Sequence, residues 1–331
     1  NDGIDLDCRV PITATVTIRG DEAIVDYAGT SPQVGGPINA PLSGAQASAY
    51  FAMRCVTDPG LPNNHGCYRP LTVRVPRGSL LDPWPGAPVA IRAHTLKRTA
   101  DAVLGALVQA VPERVSAAPA GSISCVSFAG MRVTRERFGL SDLVAGGGGA
   151  RPNLDGIDAV DTDVSNCMNV PAEAIEAAYP LRVLHYRLRR DAGGAGRHRG
   201  GTGVERAIVV TDGEITASYR SERHFTSPWG VFGGAAGKRW RTWIERGDGS
   251  HQEIASKARI LLHAGDTLCL ATGGGGGYGA PWRRDPLLVL DDVRDGKVSR
   301  EAALREYGVA LNEVGAVDEA ATDRIRRELA A

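Results

Sequence analysis

The chain has 331 residues, 43% of them hydrophobic, and 38 basic residues balance 38 acidic ones. That composition excludes a disordered chain, and the charge balance argues against nucleic acid or an anionic membrane as partner. No apolar run approaches the ~20 residues that span a bilayer, and a chain of this length buries roughly 75% of its unfolded surface.

Ile12 to Ile18 alternates apolar and polar residues, Gly20-Asp21 supplies a turn, and Ala23 to Tyr27 returns, which predicts a β-hairpin. A Gly/Pro/Ser/Asn stretch from Gly29 to Leu42 reads as a loop. Ala45 to Val56 reads as a helix with Ala49, Met53 and Val56 on one stripe, stopped by Asp58-Pro59-Gly60. The loop Pro62-Asn63-Asn64-His65-Gly66-Cys67 leads to a strand over Leu71 to Val75. The strongest helical pattern runs from Leu96 to Val111, with Leu96, Ala100, Val103, Leu104, Leu107, Val108 and Val111 on one face and Pro112 as its stop. Short strands are predicted over Ile123 to Phe128 and Met131 to Arg135.

From about Leu181 short β-like runs recur: Val183 to Leu188, Val204 to Val210, Ile215 to Tyr219, Arg241 to Glu245, Ala258 to Leu262 and Thr267 to Ala271. Gly or Asp punctuates them, which favours a sandwich or barrel-like layer over βαβ units. Ser299 caps a helix over Arg300 to Glu306, and Asp318 to Leu329 is a polar amphipathic helix. The reading is an α+β (mixed α/β) chain in which a helix-bearing N-terminal part packs with a β-rich C-terminal part. Its parts are a mixed α/β region over 1–180, a β-rich region over 181–290 and a helical segment over 291–331.

Glycine supplies 42 residues against an average of about 7%. The run Gly273 to Gly277, with Tyr278-Gly279 after it, could form an anion nest. It lacks the Lys, the Ser/Thr and the following helix of a P-loop, so a close-approach role is favoured. Gly146 to Gly149 shares that ambiguity, and the glycines of 193–203 sit in no βαβ unit. The six cysteines, Cys8, Cys55, Cys67, Cys125, Cys167 and Cys269, are dispersed without CxxC spacing, and free thiols in a reducing cytoplasm are expected. The opening Asn1-Asp2-Gly3 has no charged-then-apolar leader, so no signal peptide is expected there. None of the seven histidines forms HxH, HxxH or HExxH, and no GxSxG occurs. No metal ligand and no catalytic residue is assigned. Cys67 reads as an inert thiol despite the neighbouring His65. Two charged clusters stand out: Ser221-Glu222-Arg223-His224 after a predicted strand, and Lys97-Arg98 near a predicted helix start, where the helix dipole disfavours cations. An anionic partner or a plain salt bridge would each explain the second.

Several phrases resemble the hydantoinase B/oxoprolinase family. They are Asp26-Tyr27-Ala28-Gly29-Thr30-Ser31-Pro32-Gln33, Gly36-Pro37-Ile38-Asn39, Pro62 to Pro70, Gly193 to Gly201, Gly274 to Gly279, Asp292 to Ser299 and Tyr307-Gly308-Val309, and they run in family order across the chain. The resemblance implies the C-terminal portion of a B-type subunit of an ATP-dependent N-methylhydantoinase or 5-oxoprolinase, related to the alpha-type subunits of acetone and acetophenone carboxylases. It implies a hydantoinase A-type partner that uses ATP with Mg to activate a small cyclic amide, or a ketone in the carboxylases, and a B-type subunit that acts on the activated intermediate. A divalent metal is implied in the N-terminal portion of such a subunit rather than here. One departure is Asp163-Val164-Ser165-Asn166, where the family often carries His-Met-Thr-Asn.

The expected function is therefore one component of a cytoplasmic cyclic-amide hydrolase complex, with a ketone carboxylase as runner-up and a non-catalytic scaffold as rival. The scaffold predicts that substitutions at Arg69, Lys97, Arg98, Asn166, Glu222 or Arg223 leave turnover intact. A stand-alone metalloenzyme is the weakest reading, since no ligand spacing supports it. The candidate substrate-binding residues are Asn64 and Arg69 at a pocket, Lys97 and Arg98 facing an anion, and Asn166 bonding a carbonyl.

Overall fold

A two-residue turn at Gly20-Asp21 joins β1 (Thr15–Arg19) to β2 (Glu22–Asp26), with Arg19 opposite Glu22 and Gly20 at φ +58°. The computed structural model describes residues 2–3, 9–58, 60–132 and 134–330; Cys8, Pro59 and Val133 lie outside them. Contacts divide the chain into two units, Asn1–Ser116 with Thr162–Asn166, and Ala117–Asp161 with Cys167–Ala331.

In the first unit, helix α1 (Leu42–Val56) buries Ala45, Ser48, Ala49, Ala52, Met53 and Val56, the spacing of one helical face. Strand β3 (Leu71–Arg74) adds in parallel to β2. Helix α2 (Arg92–Leu107) lies against α1: a Cβ on Gly44 would press on Leu96, and the Ser48 hydroxyl donates to the Leu96 carbonyl at 3.1 Å. The helix begins four residues earlier and ends four earlier than the apolar stripe predicts. Its first turns bury polar groups, His94, Thr95 and Lys97, which hydropathy does not flag. Residues 108–111 form turns that donate back to Leu104 and Leu107 before Pro112.

The second unit is a two-sheet antiparallel sandwich. Its strands are β4 (Ser124–Met131), β5 (Arg137–Val144), β6 (Leu181–Leu188), β7 (Val204–Val210), β8 (Glu214–Arg220), β9 (Arg241–Glu245), β10 (His251–Glu253), β11 (Lys257–His263) and β12 (Thr267–Ala271), with α3 (Ala172–Ala178) before β6. One sheet runs β10-β9-β12-β7-β6 and the other β11-β8-β4-β5. Inward side chains from both, among them Val126, Phe128, Ile208, Tyr219, Ile244 and Leu268, make one buried core with Ile175 of α3. The β layer thus begins at Ser124, upstream of the change read near Leu181. The run read as a strand over Met131 to Arg135 contains the β4–β5 turn, with Arg135 at φ +64°. Helices α4 (Pro286–Arg294), α5 (Arg300–Tyr307) and α6 (Glu319–Ala330) follow. The Ser299 hydroxyl caps α5 by accepting from Ala302 N at 3.1 Å.

The glycine runs have their own architecture. Successive N–H groups of residues 274–279 donate to Lys238, Gly201, Ala118, Ala235, His198 and Val231. Two of the three pairs three apart point at the same neighbour: 274 and 277 at the 235–238 stretch, 275 and 278 at the 198–201 stretch, while 276 and 279 point at Ala118 and Val231. A β-strand would alternate with period two; a period of three is that of an extended polyproline-II-type helix. Neighbouring runs pack so closely that a Cβ on Gly147, Gly200, Gly201 or Gly275 would overlap a backbone carbonyl. Because those six N–H groups are bonded to carbonyls, they form no anion nest.

Candidate functional site

Helix α1 has a second face. Ala47, Tyr50, Phe51, Arg54 and Cys55 recur at helical spacing opposite the buried stripe and line a cleft of about 540 Å³ within the first unit. The 62–69 loop forms a facing wall. Asn64 caps a 3₁₀ turn over His65–Tyr68, its Oδ1 accepting from Gly66 N at 2.8 Å. That turn brings the Tyr68 ring onto Tyr50, with centroids 4.2 Å apart and planes 15° apart. The Tyr68 hydroxyl donates to Asn63 Oδ1. Arg54 ties the loop to α1, donating to the Leu61 carbonyl at 2.7 Å and to Cys67 Sγ at 3.5 Å. Cys67 Sγ in turn donates to the Pro62 carbonyl at 2.7 Å.

Val164 contributes a further side. It belongs to the short Thr162–Asn166 segment, which packs in the first unit although its sequence neighbours belong to the second. Lys97 of α2, 1% exposed, donates through Nζ to the Asp163 carbonyl at 2.9 Å and to the Thr162 carbonyl. Beyond this clamp, Asp163 and Val164 sit at φ +55° and +46°, a region that side-chain-bearing residues avoid and β-branched ones avoid most. Desolvation, with nearby Asp163, pushes the Cys55 thiol up to about 11, so at neutral pH it is a protonated cleft-lining group rather than a nucleophile.

The cleft draws on the 62–69 and 162–166 segments, but Asn64, Arg69, Lys97, Arg98 and Asn166 are not among its lining residues. Asn64 shapes the loop, and its neighbours Asn63 and Tyr68 line the cleft. Arg69 is exposed directly after Tyr68, and Asn166 is exposed two residues after Val164. Lys97 lies inside α2, not at its N-terminus, and holds backbone carbonyls; Arg98 forms an ion pair with Asp101 one turn on. Tyr50 and Phe51 were legible as aromatics off the apolar stripe of α1. Val164 had no local signal.

The Ser221-Glu222-Arg223-His224 run forms a buried polar centre in the second unit. Ser221 Oγ lies 2.7 Å from His224 Nε2 and donates to the Tyr219 hydroxyl at 2.7 Å; Thr242 Oγ1 donates to that hydroxyl at 2.6 Å. Glu222, fully buried, pairs with Lys257 at 2.7 Å. A Ser–His contact of this length suits nucleophile activation, yet Ser221 is fully enclosed and no substrate reaches it. The arrangement is structural. Among the described residues no cluster of three or more His, Cys, Asp or Glu could hold a metal, and no helix is long and apolar enough to cross a membrane.

The sequence profile of a family described as hydantoinase B/oxoprolinase matches residues 1–281. The chain is 36% identical over 329 residues to the B-type subunit of a putative D-/L-hydantoinase from Pseudomonas sp. (strain NS671), covering 96% of this chain and 54% of that one. The crystal structure of an ATP-dependent caprolactamase from Pseudomonas jessenii matches with TM-score 0.87 and 29% identity over 96% of this chain and 56% of that one. A nucleotide-free acetone carboxylase shares the fold at TM-score 0.84 and 22% identity, over 96% of this chain and 48% of that one. The chain spans about half the length of the curated relatives it matches.

Proposed function

The chain belongs to the hydantoinase B/oxoprolinase family, and from that premise we propose that it is part of an ATP-dependent cyclic-amide hydrolase, acting on a ring that an A-type partner activates. The observation that carries this reading is the match, over nearly the whole chain, to an ATP-dependent enzyme named for a lactam. An unstrained amide is a poor electrophile. Phosphorylating its oxygen creates a leaving group, and the activated species then needs a site that limits water. ATP falls to the partner in this reading, because the glycine run of this chain bonds its N–H groups to its own carbonyls and cradles no phosphate. Arg69 and Asn166, exposed and close in sequence to the cleft-lining Tyr68 and Val164, are assigned to the activated intermediate. The likeness to acetone carboxylase concerns fold alone and does not favour a carboxylase.

The test is reconstitution of the whole B-type subunit with an A-type partner. ADP and a ring-opened acid should appear together from hydantoin or caprolactam, and only with both subunits present. Ring opening without ATP, or ATP turnover that depends on bicarbonate, overturns the reading.

A further inference from the structure

We propose that a second cavity of the first unit, between the β1–β2 turn and the end of α1, binds a small aliphatic primary amine in its ammonium form. The site is distinct from the Tyr50–Tyr68 cleft, and the proposal does not depend on the ring-opening reaction.

The cavity holds about 320 Å³, at the lower end of the span of small-molecule sites. Three segments build it: the hairpin around Gly20, the last turn of α1, and residues of the 61–71 stretch. Its lining is largely aliphatic. Ala23 and Met53 are buried there, while Ile18 and Leu61, 56% and 48% exposed, leave apolar surface open to solvent. A hydrocarbon chain that covers this surface gains in proportion to the area removed from water. Among the described residues lining the cavity none is aromatic. A flat ring or a quaternary ammonium therefore lacks the ring faces that each prefers.

Charge selects the head group. Asp21, Glu22 and Asp58 line the cavity. Asp58 Oδ1 accepts from Gly60 N at 2.8 Å, which holds that carboxylate beside the helix end. Arg54 is the one cation among the described lining residues, and its guanidinium is committed to the Leu61 carbonyl at 2.7 Å and to Cys67 Sγ at 3.5 Å. Three carboxylates thus face one engaged guanidinium. The cavity also meets the C-terminal end of a 15-residue helix, where the dipole favours a cation. A primary ammonium brings three N–H donors and no acceptor, the complement of carboxylate oxygens. An anionic head group of the same length would be repelled.

Methionine makes the site visible without ATP or any partner. The chain has three: Met53 lines the cavity, and Met131 and Met168 are exposed in the second unit. The full chain, isotope-labelled at its methionine methyl groups, is titrated with n-hexylamine at about pH 7, where the amine is protonated, and followed by NMR. Hexylammonium should shift Met53 saturably and leave Met131 and Met168 in place. It should bind about tenfold tighter than n-hexanol, and hexanoate should give no saturable shift. From butylammonium to hexylammonium the Kd should fall about threefold per methylene. Glu22→Gln and Asp58→Asn, both at exposed positions, should each weaken hexylammonium a few fold and together about tenfold, with hexanol unchanged. A Met53 signal that hexylammonium does not move, or that hexanoate moves equally, overturns the proposal. So does equal movement of all three methionines, hexanol binding as tightly as hexylammonium, or a double variant that binds hexylammonium like the parent.

Discussion

Lys97 Nζ donates to the Asp163 carbonyl at 2.9 Å, and Asp163 begins the only pair of adjacent non-glycine residues at positive φ among those described. The ammonium is almost fully buried, and its hydrogen bonds to carbonyls are charge-assisted, contributing roughly 1.5–3 kcal/mol each. Lys97→Met keeps the chain length and removes both bonds. We expect a loss of about 3 kcal/mol in urea unfolding, new cleavage within residues 162–166 in limited proteolysis, and faster alkylation of Cys55. Unchanged stability with an unchanged cleavage pattern would show that the clamp does not hold the wall.

The glycine bundle makes a sharper demand. A Cβ on Gly275 would overlap the Gly148 carbonyl, backbone against backbone, where no rotamer change relieves the clash. A Cβ on Gly139, in β5, meets nothing within 4 Å. Gly275→Ala should therefore cost more than about 4 kcal/mol or abolish soluble expression, while Gly139→Ala should stay within about 1 kcal/mol of the parent by thermal and urea unfolding. Equal behaviour of the two variants would contradict the close packing.

What the sequence disclosed follows from the range of the forces involved. The first hairpin, α1 and the strands β6 to β9 were legible because turn residues and hydrophobic period are local. Helix α4 carried a local signal that went unread: Asp285 caps it, accepting from Leu287 N at 2.9 Å, with Pro286 at its first position. Strand β5 escaped because its apolar alternation breaks at Asp142, which faces inward as an ion-pair partner, and Leu143, which faces the other way. The 62–69 loop stood out by its phrase, and its Asn63 and Tyr68 line the cleft. The assignment of Thr162–Asn166 to the first unit depends on a contact 65 residues away in sequence, Lys97 to Thr162, which no local pattern encodes.

Asp142 and Arg206 test how a buried charge pair behaves between the two sheets. They meet at 3.0 Å with side chains 1% exposed, Asp142 Oδ1 accepts from Val170 N at 3.0 Å, and the guanidinium lies 4.9 Å from the Tyr186 ring centre. Burial raises the Asp142 pKa, and Arg206 opposes that. Arg206→Leu alone leaves an uncompensated buried carboxylate and should cost about 3–5 kcal/mol at neutral pH. Combined Asp142→Asn and Arg206→Leu should recover at least about 1 kcal/mol of that loss, since the stranded charge is gone. Additive losses in a double-mutant cycle would rule out coupling across the sheets.

His224 supplies the pH dependence. Burial, with Lys257 nearby, depresses its pKa from 6.5 to about 4, so the folded chain holds the ring neutral while Nε2 meets Ser221 and Tyr219. Between those two values the unfolded chain binds the proton and the folded one does not. Stability therefore rises with pH across this window, is fully present above about 6.5, and is lost as pH falls toward about 4. From pH 7 to pH 5 this one group should remove about 2 kcal/mol of unfolding free energy. His224→Gln keeps a polar partner for Ser221 without titrating, so its urea midpoint should vary much less over the same interval. His198, whose pKa burial also lowers, contributes with the same sign and accounts for slope left in the variant. The same pH dependence of the midpoint in wild type and His224→Gln from pH 7 to pH 5 would refute the assignment, because carboxylates such as Asp155 and Asp266, lowered in the fold, and Asp142, raised in it, contribute equally to both.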